Sequence, residues 1–407
     1  MSTGIFNSGM IAQDLARKSF AGMITRLFPN GTAPLFGLTS MLAAETALQA
    51  EHGFFTKTMV FPQLTLSAAG QTINDQVFTV TSTVNIIPGM VMRADNTGEN
   101  ILILGIVSLT QVSVQRAVGS TSSAAIAAST NLYQVGSAFE EASLRPNALA
   151  INPVRVTNLT QIFRNTWAIS DSARATQVIA GDTNVAENRQ DCAAFHAADI
   201  EKAIFFGQKF SGTRNGQPFR TMDGIYSIVS NLAYYPSSYS SANVTVAGGT
   251  TNYTQFEAAL DPCFNQATDP KVANERVLFV GGTAKKVINN IGRLNGTYMM
   301  VDGATDWGLQ FSTIKIARGT FRVIEHPLFN TNSSWSKLAV AVDLSSFSLA
   351  YLGDRKTQSR EFNMGNENVA DNGVDAVGGT LTTELTTVVK NPPAYGIITS
   401  LTAGAVG

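Results

Sequence analysis

The chain has 407 residues, of which 44% are hydrophobic, so it can bury a sizeable core in two or three subdomains. Charged residues make up 14% of the chain, against about 25% in typical soluble domains. The 28 basic residues nearly balance the 29 acidic ones without forming a basic cluster, which argues against a dedicated nucleic-acid-binding protein. A surface with so few charges repels its own copies weakly and therefore permits self-association.

The N-terminal stretch predicts a short amphipathic helix that is ended by Pro29-Asn30-Gly31. Its apolar residues recur at helical spacing and are Ile11, Leu15, Phe20, Met23, Ile24 and Leu27. This apolar stripe must lie on the body of its own chain or on another subunit, and the sequence leaves both open.

The stretch from Lys57 to Leu149 shows the period-2 alternation of strands that have one apolar and one solvated face. Turn signals such as Pro88-Gly89 separate the strands. Further short strands are predicted at Ile101–Val107 and Val112–Gln115. The apolar face of the first strand is assigned to Met59, Phe61, Leu64 and Leu66.

The segment Gly119 to Thr130 is almost all Ser, Thr and Ala, so it has little apolar bulk to bury and predicts a mobile loop. A β-hairpin arm that carries extra short strands fits the whole region. An ordinary antiparallel β-domain also fits it, and the sequence alone does not separate the two.

A long helix is predicted from Asn184, which makes a capping box with Glu187, to Gly207. At about 1.5 Å per residue it would span roughly 35 Å. Its apolar stripe is assigned to Ala193, Ala197, Ile200 and Ile204. Its polar face is assigned to Arg189, Asp199, Glu201 and Lys202.

Strand and helix alternate after this helix, which predicts an α+β or α/β unit. Helices are predicted at Tyr253–Phe264 and Ala284–Ile291. Strands are predicted at Val277–Val280, Phe321–Ile324 and Leu338–Val342.

The run from Val277 to Lys286 has the order strand, glycine loop, helix, which superficially matches a phosphate-binding loop. Such a loop requires the spacing GxxxxGK[ST], in which backbone amides hold the phosphate and the hydroxyl binds magnesium. Here the spacing around Gly281-Gly282 is wrong, and no Ser or Thr follows Lys286. The sequence therefore predicts a tight strand-to-helix turn.

The three histidines belong to no HExxH motif and no recognisable nucleophile elbow. His196 has no second ligand at i±4, so it is predicted to be a packed histidine and not a metal ligand. His326 precedes Pro327 after a strand and is predicted to shape the exit from that strand. His52 suggests no site.

Acidic pairs occur at Glu140-Glu141 and at Asp302 with Asp306, but surface carboxylates near turns rarely act as general acids or bases. The sequence therefore predicts no catalytic, cofactor-binding or metal-binding residues, and no enzyme activity. Cys192 and Cys263 lack a CxxC spacing and are predicted to be buried thiols in a reducing compartment. No signal peptide and no membrane span are predicted.

Five segments in the last third of the chain carry a family resemblance, and they are Gly319–Phe329, Val342–Leu352, Asp354–Gln358, Gly379–Thr386 and Asn391–Ile398. In this order they resemble the major capsid (major head) proteins of tailed bacteriophages. The resemblance is to the group that includes short-tailed phages with a β-rich insertion in the extended loop. It implies the α+β Hong Kong 97-type capsid fold.

The resemblance extends over nearly the whole chain and implies five regions. These are an N-terminal arm (1–56), an extended loop with a β-rich insertion (57–150), a peripheral domain (151–222) with a spine helix (184–206), an axial domain (223–345) and return strands of the peripheral domain (346–407).

The implied function is structural. Copies would form pentamers and hexamers that close into an icosahedral head around double-stranded DNA, without sequence-specific binding. The expected partners are other copies, a separate scaffolding protein, a portal and a cement protein, with assembly in the bacterial host cytoplasm and a final place in the virion. A covalent link between Lys57 and Asn363 or Asn366 has no supporting motif.

Three other interpretations remain open from the sequence. An encapsulin-type compartment shell would share the fold and enclose an enzyme cargo. A phage tail or baseplate protein would explain the charge-poor strands but not the solitary long helix. A phosphate-binding enzyme would require the Gly281-Gly282 turn to bind nucleotide.

Overall fold

The computed structural model describes residues 34–40, 44–57, 61–67, 69–148, 153–176, 184–235, 239, 241–266, 274–295, 301–306, 309–362 and 375–404. The chain divides into two compact units. Met1–Phe54 with Arg155–Gly407 is called the body, and Phe55–Val154 is called the inserted unit. The predicted N-terminal helix lies outside the described residues, as do Asn363 and Asn366.

The helices are α1 (Pro34–Ser40), α2 (Asp171–Ala175), α3 (Asn184–Phe206), α4 (Ile225–Ser230), α5 (Tyr253–Leu260) and α6 (Gly282–Asn295). The strands are β1 (Glu45–Ala47), β2 (Glu51–Thr56), β3 (Gln63–Thr65), β4 (Val77–Thr79), β5 (Met90–Ala94), β6 (Asn100–Ser108), β7 (Gln111–Gln115), β8 (Asn131–Ser137), β9 (Val154–Leu159), β10 (Gln161–Ser170), β11 (Phe210–Arg214), β12 (Gln217–Thr221), β13 (Val244–Thr251), β14 (Glu275–Val280), β15 (Val301–Asp306), β16 (Leu309–Lys315), β17 (Thr320–Glu325), β18 (Ala339–Val342), β19 (Phe347–Leu352), β20 (Gln358–Phe362), β21 (Ala376–Val389) and β22 (Gly396–Gly404).

The body contains a seven-stranded sheet in the order β13-β22-β18-β14-β17-β16-β15. Its central strand β14 pairs in parallel with β17 and antiparallel with β18. Val277 and Phe279 of β14 face one hydrophobic core, whereas Leu278 and Val280 face a second core on the other side. Because both faces of β14 are buried, its sequence is a continuous apolar run.

A second sheet of the body has the order β1-β19-β21-β10, with β20 also paired to β21. The long strand β21 pairs antiparallel with β10 over ten residues. Helix α3 packs against β10. The described body is therefore a mixed arrangement of helices and sheets, which agrees with the predicted α+β class.

The predicted long helix is confirmed as α3, which begins at Asn184 and ends at Phe206. Gly207 ends the helix, and its N–H donates to the Ala203 carbonyl at 2.9 Å. A Cβ on Gly207 would lie 2.6 Å from the carbonyl oxygens of Ala203 and Met222, so only glycine fits there.

The predicted faces of α3 are partly wrong. Ile200 and Ile204 are buried as expected, but Ala193 is exposed. Glu201, assigned to the polar face, is fully buried. Its partners, described below, explain why a carboxylate occupies the apolar side of this helix.

The inserted unit is an antiparallel sheet in the order β3-β8-β5-β6-β7-β4. Its two end strands meet through a bridge between Leu66 and Val80, so the sheet closes on itself. The core inside is formed by apolar side chains of all six strands. The described residues of this unit thus form an antiparallel β-sheet with its own core.

One sequence-based assignment in the inserted unit is wrong. Leu64 and Leu66 are buried, but Phe61 is 79% exposed because it lies on the other side of the alternation from Leu64. The segment 119–130 is irregular, as a loop should be, and its buried Ile126 forms a bridge with Gln71.

A buried ion pair also anchors that segment. Arg116 donates to both carboxylate oxygens of Glu99, at 2.8 and 2.7 Å, and to the carbonyls of Thr72 and Ala124. The backbone N–H groups of Ala117 and Ala124 also donate to Glu99. Burial alone would raise the pKa of Glu99, but Arg116 and these amides bring it below its usual value of 4.5.

We expect Glu99→Gln to lower the free energy of unfolding of the inserted unit by about 3–5 kcal/mol, because it leaves a buried guanidinium without its counter-charge. Urea unfolding of the full chain, followed by circular dichroism, measures this loss. Glu140→Gln is the matched control, since Glu140 is exposed in the same unit and should change little. Equal effects of the two substitutions would contradict a structural role for the ion pair.

The lowered pKa of Glu99 predicts a pH dependence of stability. The unfolded chain binds the proton more tightly, so this stabilisation is complete above the unfolded pKa of about 4.5 and is lost as pH falls through the lower folded pKa. Unfolding of the wild type below pH 4.5 should show this loss, and Glu99→Gln should reduce its slope. An unchanged slope in the variant would assign the acid sensitivity to other carboxyl groups.

Candidate functional site

The candidate residues named from the sequence lie on different elements and loops of the chain. Glu140 and Glu141 are exposed in the inserted unit, and Asp302 and Asp306 lie in β15. His52 is 3.4 Å from Glu45 in the body. Within the described ranges, no group of three or more His, Cys, Asp or Glu residues could hold a metal ion.

Both cysteines are buried free thiols, as predicted. Burial raises the pKa of the Cys192 thiol, and it raises that of Cys263 to about 12. Both are therefore protonated at neutral pH and are poor nucleophiles.

His196 is a packed histidine, as predicted. It is 3% exposed and joins three elements, because Nδ1 lies 2.7 Å from Asn165 Oδ1 of β10 and Nε2 lies 2.8 Å from Thr383 Oγ1 of β21. Burial lowers its pKa, opposed by the charge of Asp199. A neutral imidazole with one donor and one acceptor nitrogen satisfies both contacts.

The glycine turn before α6 is a packing turn. A Cβ on Gly281 would lie 2.4 Å from the carbonyl oxygen of Ser336, so the backbones of the two segments approach too closely for any side chain. The Gly282 N–H at the start of the helix already donates to Asn330 Oδ1 at 2.6 Å. Lys285 is paired with Glu325 at 3.2 Å. The Gly282 N–H and the Lys285 ammonium group, which a bound phosphate would need, are therefore already engaged by protein partners.

Glu384 on β21 is a buried carboxylate that connects several strands. It accepts from Thr160 Oγ1 at 2.9 Å and pairs with Arg355 at 2.7 Å. Arg220 on the β11-β12 hairpin lies 3.5 Å away. The arrangement holds the hairpin and the second sheet together.

Glu201 is a fully buried carboxylate of the body that has three hydrogen-bond partners. Its Oε1 accepts from the Leu35 N–H at 2.8 Å and its Oε2 from the Phe36 N–H at 2.7 Å. His326 Nε2 lies 2.8 Å from the same Oε1. Glu201 thus caps the first turn of α1 from 166 residues away along the chain.

The surroundings of the Glu201 cluster are apolar. The His326 ring stacks on Phe329 at 4.4 Å and meets Phe205 edge-on at 5.0 Å. Leu35 is fully buried in the same core. The prediction that His326 shapes a strand exit is incomplete, because its ring also donates to Glu201. The sequence signal that was missed is that Glu201 lies on the same helix face as Ile204 and Phe205.

These arrangements connect elements and do not converge on a reacting atom. Glu201, Glu384, His196 and His326 are held by backbone amides, polar side chains or ionic partners from other elements. No helix in the described part of the chain is both long and apolar enough to cross a membrane.

Gly281→Ala tests whether the glycine turn is structural. We expect it to lower the free energy of unfolding by about 1–3 kcal/mol because the new methyl group collides with the Ser336 backbone. Gly248→Ala is the control, since a Cβ there meets no atom within 4 Å. Mg-ATP should not raise the melting temperature of the wild type, and a dose-dependent rise would contradict the packing role.

Comparisons with known proteins agree over almost the entire chain. A family model described as SU10 major capsid protein matches residues 2–402. The major capsid protein of Pseudomonas phage PaMx41 is 38% identical over 409 residues, covering 98% of this chain and 96% of that protein.

Solved structures are similar at lower identity. The capsid of an empty GTA particle aligns with a TM-score of 0.48 at 11% identity, over 98% of this chain and 100% of that one. A chain of Mycobacterium phage Adephagia aligns with a TM-score of 0.47 at 8% identity, over 99% of both chains.

The family match and the 38% identity each extend over nearly the full length, so they concern the body and the inserted unit alike. This chain therefore belongs to the SU10 major capsid protein family.

Proposed function

We propose that many copies of this chain assemble as pentamers and hexamers into the icosahedral head of a tailed phage. The observation that carries the proposal is the 38% identity to a phage major capsid protein over 98% of the chain. Closed symmetric assemblies of one chain reuse the same surfaces in every copy. The role is structural, and the chain catalyses no reaction in it.

We further propose that the chain follows the Hong Kong 97-type arrangement. Residues 1–56 serve as the N-terminal arm and 57–150 as the extended loop with its β-rich insertion. The peripheral domain comprises 151–222 and 346–407, with α3 as the spine helix, and 223–345 forms the axial domain. The bounds of the inserted unit, Phe55–Val154, and of α3, Asn184–Phe206, support this division.

The head encloses double-stranded DNA without gripping it. The 28 basic and 29 acidic residues leave a net charge of −1, so the wall attracts phosphates weakly and does not hinder packaging or release. Assembly takes place in the host cytoplasm with a separate scaffolding protein and a portal, and a cement protein completes the shell.

Exposed apolar side chains in the inserted unit supply surface for contacts between copies. Four of them lie on β6 and the turn after it, and they are Leu104, Ile106, Val107 and Leu109. Their exposed fractions run from 45% to 80%. Apolar side chains clustered on a surface in this way typically mark sites of association.

Electron microscopy of the purified full chain, alone and with a candidate scaffolding protein, tests the assembly. We expect closed angular shells or rings of five and six subunits. Particles that copurify with DNA support a head, whereas particles filled with an enzyme cargo would indicate a compartment shell. A chain that stays monomeric with every partner would overturn the proposal.

Substitutions in the apolar strip, which consists of Leu104, Ile106, Val107 and Leu109, give a sharper test. We expect Val107→Lys combined with Leu109→Lys to abolish shell formation without lowering the stability of the monomer, because both side chains are already in solvent. Thr110→Lys is the matched control at the same turn. Shells that form equally well with the double substitution would show that this strip is not an interface.

A further inference from the structure

Glu201 connects the N-terminal segment, by which we mean α1 and β1, to the rest of the body through backbone groups. The segment supplies the N–H groups of Leu35 and Phe36, and the body supplies the carboxylate and the His326 ring. Glu201 therefore binds the backbone of α1 and not a charged side chain of that helix.

The contact between Glu201 and α1 is either fully made or fully lost, for a physical reason. Glu201 is 0% exposed and is surrounded by apolar side chains, so water does not reach it while α1 is in place. If α1 shifted slightly, two of the carboxylate's three donors would be lost without replacement, which is strongly unfavourable for a buried charge. Only full departure of Leu35, which opens its apolar site to water, lets solvent take over from the lost donors.

A second anchor farther along the segment behaves differently. Glu45 on β1 pairs with Lys390 at 2.6 Å and accepts from Ser348 at 2.8 Å. The Glu45 and Lys390 side chains are 30% and 44% exposed, so water can replace either partner gradually. The segment therefore has an anchor at β1 that combines pairing to β19 with a partly exposed ion pair, and a fully buried anchor at α1.

We propose that Glu201 is a latch that holds α1 on the rest of the body, so that α1 is released and recaptured as one unit while the sheets stay folded. His326 is the positioning residue of the latch. Its Nε2–H donates to Glu201 Oε1, while its Nδ1 has no partner in the aromatic pocket. The proposal concerns the single chain and stands independently of shell assembly.

Hydrogen–deuterium exchange of the unassembled full chain tests the latch at the Leu35 and Phe36 amides. Glu201→Gln replaces one acceptor oxygen by an NH₂ group that faces a backbone N–H, so the latch opens. We expect exchange over residues 34–40 to become roughly 100-fold faster, the scale expected for losing a hydrogen bond to a buried charged group. Exchange in β14 and β18 should stay unchanged.

Two further variants separate the latch from general packing. Leu35→Ala alters only α1 and should speed exchange over residues 34–40 in the same way, and combining it with Glu201→Gln should add little because α1 is already released. Glu257→Gln is the matched control. Its carboxylate also accepts a backbone N–H, from Ala317 at 3.1 Å, but at an exposed site, so exchange at Leu35 should not change.

The latch is overturned by either of two results. Unchanged exchange at Leu35 and Phe36 in Glu201→Gln would show that the carboxylate does not hold α1. Exchange that accelerates equally in β14 and β18 would show that Glu201 stabilises the whole body and not one releasable helix. Neither result depends on whether the chain forms shells, so failure of the latch is distinguishable from failure of the proposed function.

Discussion

Burial of the central strands β14 and β18 on both faces of the seven-stranded sheet is the constraint on which the body depends. Successive residues of β14 and β18 point into two different cores, so the elements on either side must each supply an apolar face. Helix α6 covers one side, and α3 and α4 border the core on the other. A shift of one residue in β14 would exchange the two cores, and the strand is therefore fixed in register from both sides.

Buried polar groups then determine how peripheral parts attach to this framework. Glu201 holds α1, His196 joins α3 to the second sheet, and Glu384 holds the hairpin after α3. Glu99 performs the same task in the inserted unit, where it fixes a segment that has little apolar bulk. In each case a single polar side chain gathers hydrogen-bond partners from other segments, and its burial makes the arrangement specific because an unpaired group there is costly.

Much of the fold could be predicted because it rests on local patterns. The strands at β6, β7, β14 and β17, the helices α3 and α6, and the glycine turn between β14 and α6 follow from periodicity and from turn chemistry, and the structure confirms them. The errors have different causes. Phe61 was assigned to the wrong side of the strand alternation. Glu201 was placed by local pattern alone, whereas its burial is decided by partners from elsewhere in the chain.

The sequence by itself determined the α+β class, the absence of a recognisable catalytic motif and the resemblance to phage capsid proteins, because periodicity, motif spacing and segment order are properties of the linear chain. Only the tertiary structure decided that the inserted strands close into a unit with their own core, and that Glu201 faces inward to hold α1. Closure needs Leu66 to meet Val80, and the buried carboxylate needs amides 166 residues away. Such long-range pairings leave no periodic signal, since the partners satisfy one another only after the chain has folded.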